Sequence, residues 1–423
     1  MQYLIQSALV IDPNSPFHLQ KKDILIENGI IKNISEHIKP DESISETIHS
    51  DNLCVNVGLM DLRCHVPDLG YEYKETLDSA RKAAVAGGFT EVCLLPNMQP
   101  SLDTKDSLAY VLKDNPNELV KVLPIAALSQ KTKGEDLTEM IDLHKNGAVA
   151  FSDGLNSTNN ADILLKSLLY LQAFGGLLIQ RPENLLLNRY GQMNEGVVAT
   201  HLGLRGLPVL SEVLIIQRDL EILRYTGGKI HFSCISSQKS VELIRRAKQE
   251  GLALSCDVAA THLYFTEEKL YDFDTNFKLN PPLRTEEDRK ALWQGVADDT
   301  IDAIVSDHQP QDTENKDLEF DLAAFGAIGL QTTLLATNTK REDIPLEKIL
   351  EKLCQNPRRI LQKNVPCIKE GEVANLCVWD SRQQSLFTKE QILSKSKNSP
   401  FIGESLKGKI YAVFNDKQAC FFS

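Results

Sequence analysis

The middle of this chain alternates short apolar runs with amphipathic segments, and this alternation limits the folds that are open to it. The amphipathic segments have helical length and period, as at residues 76–86, 161–173, 209–224 and 240–250. Eight short apolar runs separated by these helical segments are typical of a parallel α/β fold, so we predict a (β/α)8 TIM barrel. The runs are residues 53–62, 91–95, 120–127, 148–151, 176–179, 229–234, 253–257 and 303–306.

The two ends of the chain have a different pattern. Residues 1–46 contain short alternating runs broken by Asn-Gly and proline, and residues 374–379 and 409–414 have a similar character. Alternation of this kind favours β-strands. We therefore predict that both ends build one small β-sandwich domain beside the barrel. The predicted boundaries are 1–54 and 366–423 for the two parts of the sandwich and 55–365 for the barrel.

Charge and cysteine content exclude several classes of protein. Lys+Arg 46 against Asp+Glu 58 gives a net charge of −12, so we expect no nucleic-acid partner. The sequence lacks an apolar run of about 18 residues and the start of a signal peptide, which predicts no membrane association. Its nine cysteines are scattered without a Cys-x-x-Cys pair. This pattern predicts reduced thiols in a cytoplasmic protein.

Polar side chains recur where the predicted strands end. Residues 61, 63 and 65 point to the same side of a strand, because side chains alternate along it. Active sites of such barrels lie at the carboxyl ends of the strands, so we expect these side chains to meet around one mouth. They are Asp61, Arg63, His65, Asn97, Asp153, Gln180, Cys234, His262, Asp307 and His308.

Five stretches together resemble a known family. They are Val-Gly-Leu-Met-Asp at 57–61, Pro-Asn-Met-Gln-Pro at 96–100, Phe-Ser-Asp-Gly at 151–154, Lys-Leu-Asn-Pro-Pro-Leu-Arg at 278–284 and Ser-Asp-His-Gln-Pro at 306–310. The chain is similar to dihydroorotase of the amidohydrolase superfamily, in the form with an aspartate at the fourth strand. The resemblance implies a zinc site and an ancestral reaction of pyrimidine biosynthesis, the reversible cyclisation of N-carbamoyl-L-aspartate to dihydroorotate.

The resemblance also implies six metal-binding positions, and three of them depart from the family pattern. The positions that keep the expected residue type are His65, Asp153 and Asp307, of which Asp307 also matches the catalytic carboxylate. The positions where the family has histidines are Arg63, Gln180 and Cys234.

Some of the positions expected to bind the substrate also differ from the family pattern. The resemblance implies substrate binding by Asn97, Asn280 and His262. Pro67 and Gln311, however, stand where the family holds the substrate's carboxylate with arginine and histidine. Loss of a charge-assisted contact removes roughly 1.5–3 kcal/mol of binding. Two separate parts of the mechanism are therefore altered.

Arg63 is the departure with the clearest chemical consequence. A guanidinium has no lone pair for zinc, and at ~4 Å it repels a unit charge by about 4 kcal/mol at an effective dielectric of about 20, and a divalent ion by roughly twice that. It pairs well with carboxylates, so we predict that Arg63 neutralises Asp153 or Asp307 in place of a metal. Our first hypothesis is a non-catalytic or weakly active dihydroorotase-like protein without zinc. The resemblance implies a structural partnership with aspartate transcarbamoylase and a homodimer.

Two alternatives stay open. An active cyclic-amide hydrolase, of the dihydroorotase, allantoinase or hydantoinase kind, would act on a small cyclic amide or a carbamoyl amino acid. It would use one zinc with the three protein ligands of a catalytic site, namely His65, Cys234 and Asp307. A ligand-binding module would instead hold an anion without converting it. The residues around that anion would be Arg63, Arg181, Asn97 and Asn280.

Overall fold

The computed structural model of the protein describes residues 1–40, 42–113 and 115–422. The strands are β1 (Gln2–Val10), β2 (Lys21–Glu27), β3 (Ile30–Ser35), β4 (Ile44–Ile48), β5 (Leu53–Val57), β6 (Leu59–Cys64), β7 (Phe89–Leu94), β8 (Lys121–Ala127), β9 (Ala150–Ser152), β10 (Leu178–Gln180), β11 (Met193–Asn194), β12 (Gly206–Leu207), β13 (Ile230–Phe232), β14 (Leu254–Ala259), β15 (Ala303–Val305), β16 (Asn375–Leu386), β17 (Ser405–Asn415) and β18 (Gln418–Phe421). The helices are α1 (Leu77–Ala86), α2 (Lys105–Leu112), α3 (Met140–Lys145), α4 (Ala161–Gln172), α5 (Val197–Leu202), α6 (Val209–Thr226), α7 (Gln238–Gln249), α8 (Ala260–Tyr264), α9 (Glu286–Ala297), α10 (Thr313–Lys316), α11 (Thr333–Lys340), α12 (Leu346–Leu353) and α13 (Gln355–Ile360).

Eight parallel strands form the predicted barrel, in the order β6, β7, β8, β9, β10, β13, β14 and β15. A parallel bridge between Cys64 and His308 joins the first strand to the segment after the last. All six residues of β6 are buried, because the barrel interior covers one face and helices cover the other. The (β/α)8 prediction is therefore confirmed.

The helices around the barrel begin and end where local sequence dictates. Thr76 is the N-cap of α1, and its side chain accepts a hydrogen bond from the Ser79 backbone N–H. Ser237 caps α7 in the same way. Gly251, just beyond that helix, has a φ of +84°, a backbone region that favours glycine.

The two ends of the chain meet in one eight-stranded sheet, which confirms the predicted joint β-domain. Its order is β18, β17, β16, β5, β1, β2 and β3, with β4 paired to β1. Strand β5 links the two ends, since it pairs with β1 on one side and with β16 on the other. Gly58 then leads from the sheet into the barrel, where a Cβ atom would lie 2.3 Å from Thr90 Cγ2.

The remaining global features concern membranes and thiols. No helix within the described residues is long and apolar enough to cross a membrane. All nine cysteines are free, and seven of them are buried.

Candidate functional site

A buried ion pair joins the first and last barrel strands at the mouth. Arg63 Nε donates to Asp307 Oδ1 over 2.7 Å, and the two side chains are 1% and 9% exposed. Gln309 Nε2 donates to the same carboxylate oxygen over 2.8 Å. Arg63 Nη1 lies 3.5 Å from Ser233 Oγ, whereas Nη2 is buried without a hydrogen-bond partner among the described residues. Of the two carboxylates predicted for Arg63, the structure pairs it with Asp307.

His65 follows Arg63 at the strand end and is held by its backbone. Its N–H donates to His308 O over 2.8 Å, and its ring Nδ1 is buried without a partner among the described residues. Burial, together with the neighbouring His308 and Arg63, lowers the pKa of His65 to about 3. The ring is therefore neutral at pH 7.

Cys234 lies near Arg63, in a left-handed backbone conformation with φ +56°. Its N–H donates to Asp257 Oδ1 over 2.6 Å. Burial raises the pKa of the Cys234 thiol well above its usual range.

Asp153 belongs to a separate hydrogen-bond group. Its carboxylate accepts from the Ser129 N–H at 2.9 Å, the Ser129 hydroxyl at 2.7 Å and the Thr158 hydroxyl at 3.3 Å. Burial raises the pKa of Asp153 although these donors oppose it. Asp153 therefore has its own neutral donors and is not the carboxylate that Arg63 pairs with.

Gln180, at the end of β10, is tied into the wall of the barrel. Its Oε1 accepts from the Thr158 N–H at 3.1 Å, and its Nε2 donates to Thr158 O at 3.1 Å and to Asp219 Oδ2 at 3.0 Å. Burial raises the pKa of Asp219 to about 6. An amide here satisfies the buried groups around it and offers no imidazole nitrogen to a metal.

The three residues predicted to bind substrate also have partners within the protein. Asn97 Nδ2 donates to Asp153 O over 3.0 Å, and Asn280 Nδ2 donates to Glu183 Oε1 over 3.0 Å. His262 Nε2 lies 3.0 Å from Pro281 O. Their roles toward a substrate stay predictions.

The four residues proposed to surround an anion do not converge as free donors. Arg181 forms an ion pair with Glu183 at 2.8 Å and donates from Nη1 to Leu155 O. Arg63 is paired with Asp307, and the two asparagines have the partners given above. An anion at the mouth would have to displace one of these contacts.

Two positions at the mouth carry unusual backbone geometry. Asp307 has a φ of +45°, and Cys234 has the +56° already noted. Positive φ in residues other than glycine costs energy and concentrates at functional sites. Two of the side chains near Arg63 are therefore carried by turns in a left-handed backbone conformation. An open cleft of about 510 Å³ lies beside it, lined by Tyr71, Asn97, Gln99, Lys131 and neighbouring residues.

Comparison with known proteins places the chain in a family. The model for dihydro-orotase-like proteins matches residues 53–240, and the amidohydrolase family model matches residues 209–416. A dihydroorotase of Geobacter metallireducens is 38% identical over 411 residues, which are 96% of this chain and 96% of that protein. A dihydroorotase of Caldanaerobacter subterraneus is 38% identical over 97% of this chain and 95% of that protein. This chain belongs to the dihydroorotase family.

Solved structures support the same fold for this family member. The L-hydantoinase (dihydropyrimidinase) from Arthrobacter aurescens superposes with a TM-score of 0.84 at 22% identity, over 99% of this chain and 95% of that one. The dihydropyrimidinase from Brevibacillus agri superposes with a TM-score of 0.82 at 16% identity, over 99% and 95%. At these identities the likeness concerns the fold alone.

The zinc that dihydroorotase membership implies does not fit the side chains at this mouth. Within the described ranges, no group of three or more His, Cys, Asp or Glu residues is arranged to hold a metal ion. The predicted single-zinc set of His65, Cys234 and Asp307 is therefore not brought together as a ligand group. The Asp307 carboxylate is also engaged by Arg63 Nε at 2.7 Å.

One buried carboxylate near the mouth, Asp257, is absent from the set of residues predicted from the sequence. Asp257 accepts from His231 Nε2 at 2.8 Å, from the Ser233 hydroxyl at 3.0 Å and from the Cys234 N–H at 2.6 Å. It organises the turn that carries Cys234. The available signal was an acidic residue at the end of the apolar run 253–257.

Proposed function

We propose that this member of the dihydroorotase family does not catalyse the family's cyclisation and contains no zinc at the barrel mouth. The observation that carries the proposal is the 2.7 Å ion pair between Arg63 and Asp307 in a buried site. Opening a cyclic amide at neutral pH needs an activated water and a carboxylate that moves protons. The proposed role for Arg63 is to neutralise the carboxylate that would otherwise serve both needs.

The electrostatics of the mouth support this proposal. A zinc ion beside Asp307 would have to displace Arg63 or remain next to its charge. At ~4 Å the repulsion between a divalent ion and a guanidinium is about 8 kcal/mol at an effective dielectric of about 20. His65 offers a neutral ring nitrogen, but one histidine does not offset that repulsion.

The altered substrate positions add independent support. Gln311, where the resemblance implies a carboxylate-binding histidine, accepts from Lys74 Nζ at 2.7 Å and donates to Phe325 O at 2.9 Å. Pro67 has no side-chain donor at all. A protein that only changed its metal would have kept its contacts to the anionic substrate.

Metal content and turnover test the proposal directly. Protein purified without chelator should contain far less than one zinc per chain and should convert neither dihydroorotate nor N-carbamoyl-L-aspartate. Zinc near one equivalent together with turnover would contradict the proposal.

A variant with the family's histidines put back tests whether the substituted side chains exclude the metal. Arg63→His combined with Gln180→His and Cys234→His returns the histidines of the family pattern, and zinc content should rise toward one per chain. Arg359→His, at an exposed site, serves as the matched control and should leave zinc content unchanged. No uptake by a folded triple variant would show that Arg63 is not what excludes the metal.

We further propose that the chain acts as a structural partner of aspartate transcarbamoylase. The support is its membership of the dihydroorotase family and the pathway that this family serves. Mixed with the transcarbamoylase of the same organism, it should co-elute in size-exclusion chromatography as one complex of larger mass. Separate elution at micromolar concentrations would overturn this part of the proposal.

A further inference from the structure

A cavity of about 720 Å³ lies on the outside of the barrel, where α9 and α12 meet the segment that joins β1 to β2. We call it the α9–α12 cavity. Its apolar lining consists of Pro13, Trp293, Ala297, Ile344 and Pro345. Because Pro13 comes from the terminal β-sheet region and the others from the barrel, the cavity lies at a junction of two parts of the fold. Small-molecule sites of about 300–1,000 Å³ occur preferentially at such junctions.

Ion pairs and hydrogen bonds fix the walls of the α9–α12 cavity. Asp299, just after α9, accepts from Lys348 Nζ at 2.5 Å and from Lys352 Nζ at 2.6 Å, which ties the end of α9 to α12. The loop before α12 is closed by Arg341, whose Nη1 donates to Ile344 O over 2.6 Å. The cavity is therefore formed without a ligand, so binding needs little reorganisation.

Trp293 gives the α9–α12 cavity an aromatic surface. Its ring Nε1 donates to Leu263 O over 2.9 Å, inside the protein. The indole N–H is thus already used, and what the side chain offers to the cavity is aromatic carbon. Tryptophan attracts a cation over its ring more strongly than the other aromatic side chains do.

The charged side chains around the α9–α12 cavity leave an excess of negative charge. Its lining includes two lysines and four acidic residues, namely Lys290, Lys348, Glu342, Asp343, Glu347 and Glu351. Both lysines lie within 4 Å of carboxylates outside this lining, Lys348 at 2.5 Å and Lys290 at 3.9 Å. Two of the acids lie near arginines, Glu351 at 2.8 Å and Glu342 at 3.9 Å.

The other two acids of the cavity are available to a ligand. Asp343 is exposed and Glu347 is half-buried, and neither forms an ion pair within 4 Å among the described residues. They lie four positions apart in the sequence, on either side of Pro345, which belongs to the apolar lining. An apolar surface and uncompensated carboxylates are therefore found in one cavity.

We propose that the α9–α12 cavity binds a small organic cation with an apolar, ring-containing body. The body packs against Trp293 and Pro345, and the cationic group lies beside Asp343 and Glu347. An anion of the same size is repelled by the two carboxylates, whereas a neutral molecule gains only the apolar contact. The site is separate from the barrel mouth, and its occupation depends on neither zinc nor turnover.

Three probes of similar size and different charge test the proposal on the wild-type protein. They are phenethylamine, which is a cation at pH 7, the neutral phenethyl alcohol and the anion hydrocinnamate. In calorimetric titrations phenethylamine should bind about tenfold more tightly than either of the others, since it alone gains the cation–π and carboxylate contacts. The chain has two tryptophans, and Trp379 is fully buried, so a change in tryptophan fluorescence on binding reports on Trp293.

A pair of double variants separates the cavity from the overall negative charge of the chain. Asp343→Asn with Glu347→Gln keeps side-chain size and should weaken phenethylamine binding about tenfold, with phenethyl alcohol binding unchanged. Asp106→Asn with Glu135→Gln makes the same change in net charge at two exposed sites outside the cavity, and it should bind like the wild type.

Four outcomes would overturn the proposal. In the first two, the wild type binds none of the probes or binds all three alike. In the third, phenethylamine binds without a change in tryptophan fluorescence, which places it elsewhere on the protein. In the fourth, the control double variant loses as much affinity as the cavity variant. The selectivity among probes is measured on the wild type, so it decides the matter even where a substituted chain fails to fold.

Discussion

The two ends of the barrel each contain a buried arginine paired with a carboxylate at 2.7 Å, and the two pairs differ in how fully they are satisfied. At the mouth, Arg63 pairs with Asp307. At the opposite end, Arg358 Nε donates to Glu91 Oε2, Nη1 donates to Cys354 O at 2.8 Å, and Nη2 lies 3.3 Å from Thr90 Oγ1.

The two arginines differ in the number of guanidinium nitrogens that have a hydrogen-bond partner. Every nitrogen of Arg358 has a partner, which is the usual condition of a buried cation that stabilises a fold. Arg63 has one strong contact, one at 3.5 Å and one nitrogen without a partner among the described residues. The polar groups at the mouth are therefore less fully satisfied than those around Arg358.

Removing the ion pair between Arg358 and Glu91 should have the largest effect on stability. Arg358→Met leaves Glu91 without its main cation and Cys354 O without its side-chain donor, so the free energy of unfolding should fall by about 3 kcal/mol. Urea denaturation measures the change. Arg359→Met, which removes a half-exposed ion pair with Glu351, should change stability by less than about 1 kcal/mol. Equal effects of the two substitutions would show that the buried pair of Arg358 stabilises the fold no more than the half-exposed pair of Arg359.

Removing the guanidinium at the mouth should cost less. Arg63→Met loses one charge-assisted hydrogen bond, about 2 kcal/mol, while Asp307 keeps its bond from Gln309. Adding Asp307→Asn should recover most of that loss, because no unpaired charge then remains buried. A double-mutant cycle by urea denaturation gives the coupling. Additive losses would show that the pair does not act as a unit.

A third buried carboxyl, Asp61, pairs with no arginine side chain among the described residues, and its effect is the smallest of the three when expressed per pH unit. It accepts from the Ser306 N–H and hydroxyl, yet burial raises its pKa from 3.8 to about 7. Between these pKa values the folded protein keeps a proton that the unfolded chain releases. This group therefore lowers stability as pH rises through that window, by about 1.4 kcal/mol per pH unit.

Asp61→Asn should remove this slope. The difference in unfolding free energy between wild type and variant, measured from pH 4 to 8, isolates the group from other titrations. A difference that does not vary with pH would mean that Asp61 is ionised in the folded state.

Much of the fold could be predicted from local patterns, whereas the partners of the buried charged side chains could not. The eight apolar runs predicted the barrel, and residues 240–250 predicted α7 because serine caps and Gly251 bound that segment. Arg358, however, lies in α13 and pairs with Glu91, which is 267 residues away. No local signal indicates such a contact.

Local sequence patterns are sufficient to predict the eight-stranded α/β architecture and a fixed cation, Arg63, at the end of the first barrel strand. Periodicity and side-chain chemistry are properties of short segments, so they can be recognised in the amino-acid sequence alone. The pairing of Arg63 with Asp307 and the neutral donors of Asp153 depend on contacts between segments that are distant in the sequence. Barrel closure places the last strand beside the first, which brings Asp307 to Arg63. Asp153, after the fourth strand, receives its hydrogen bonds from the neighbouring Ser129 and Thr158.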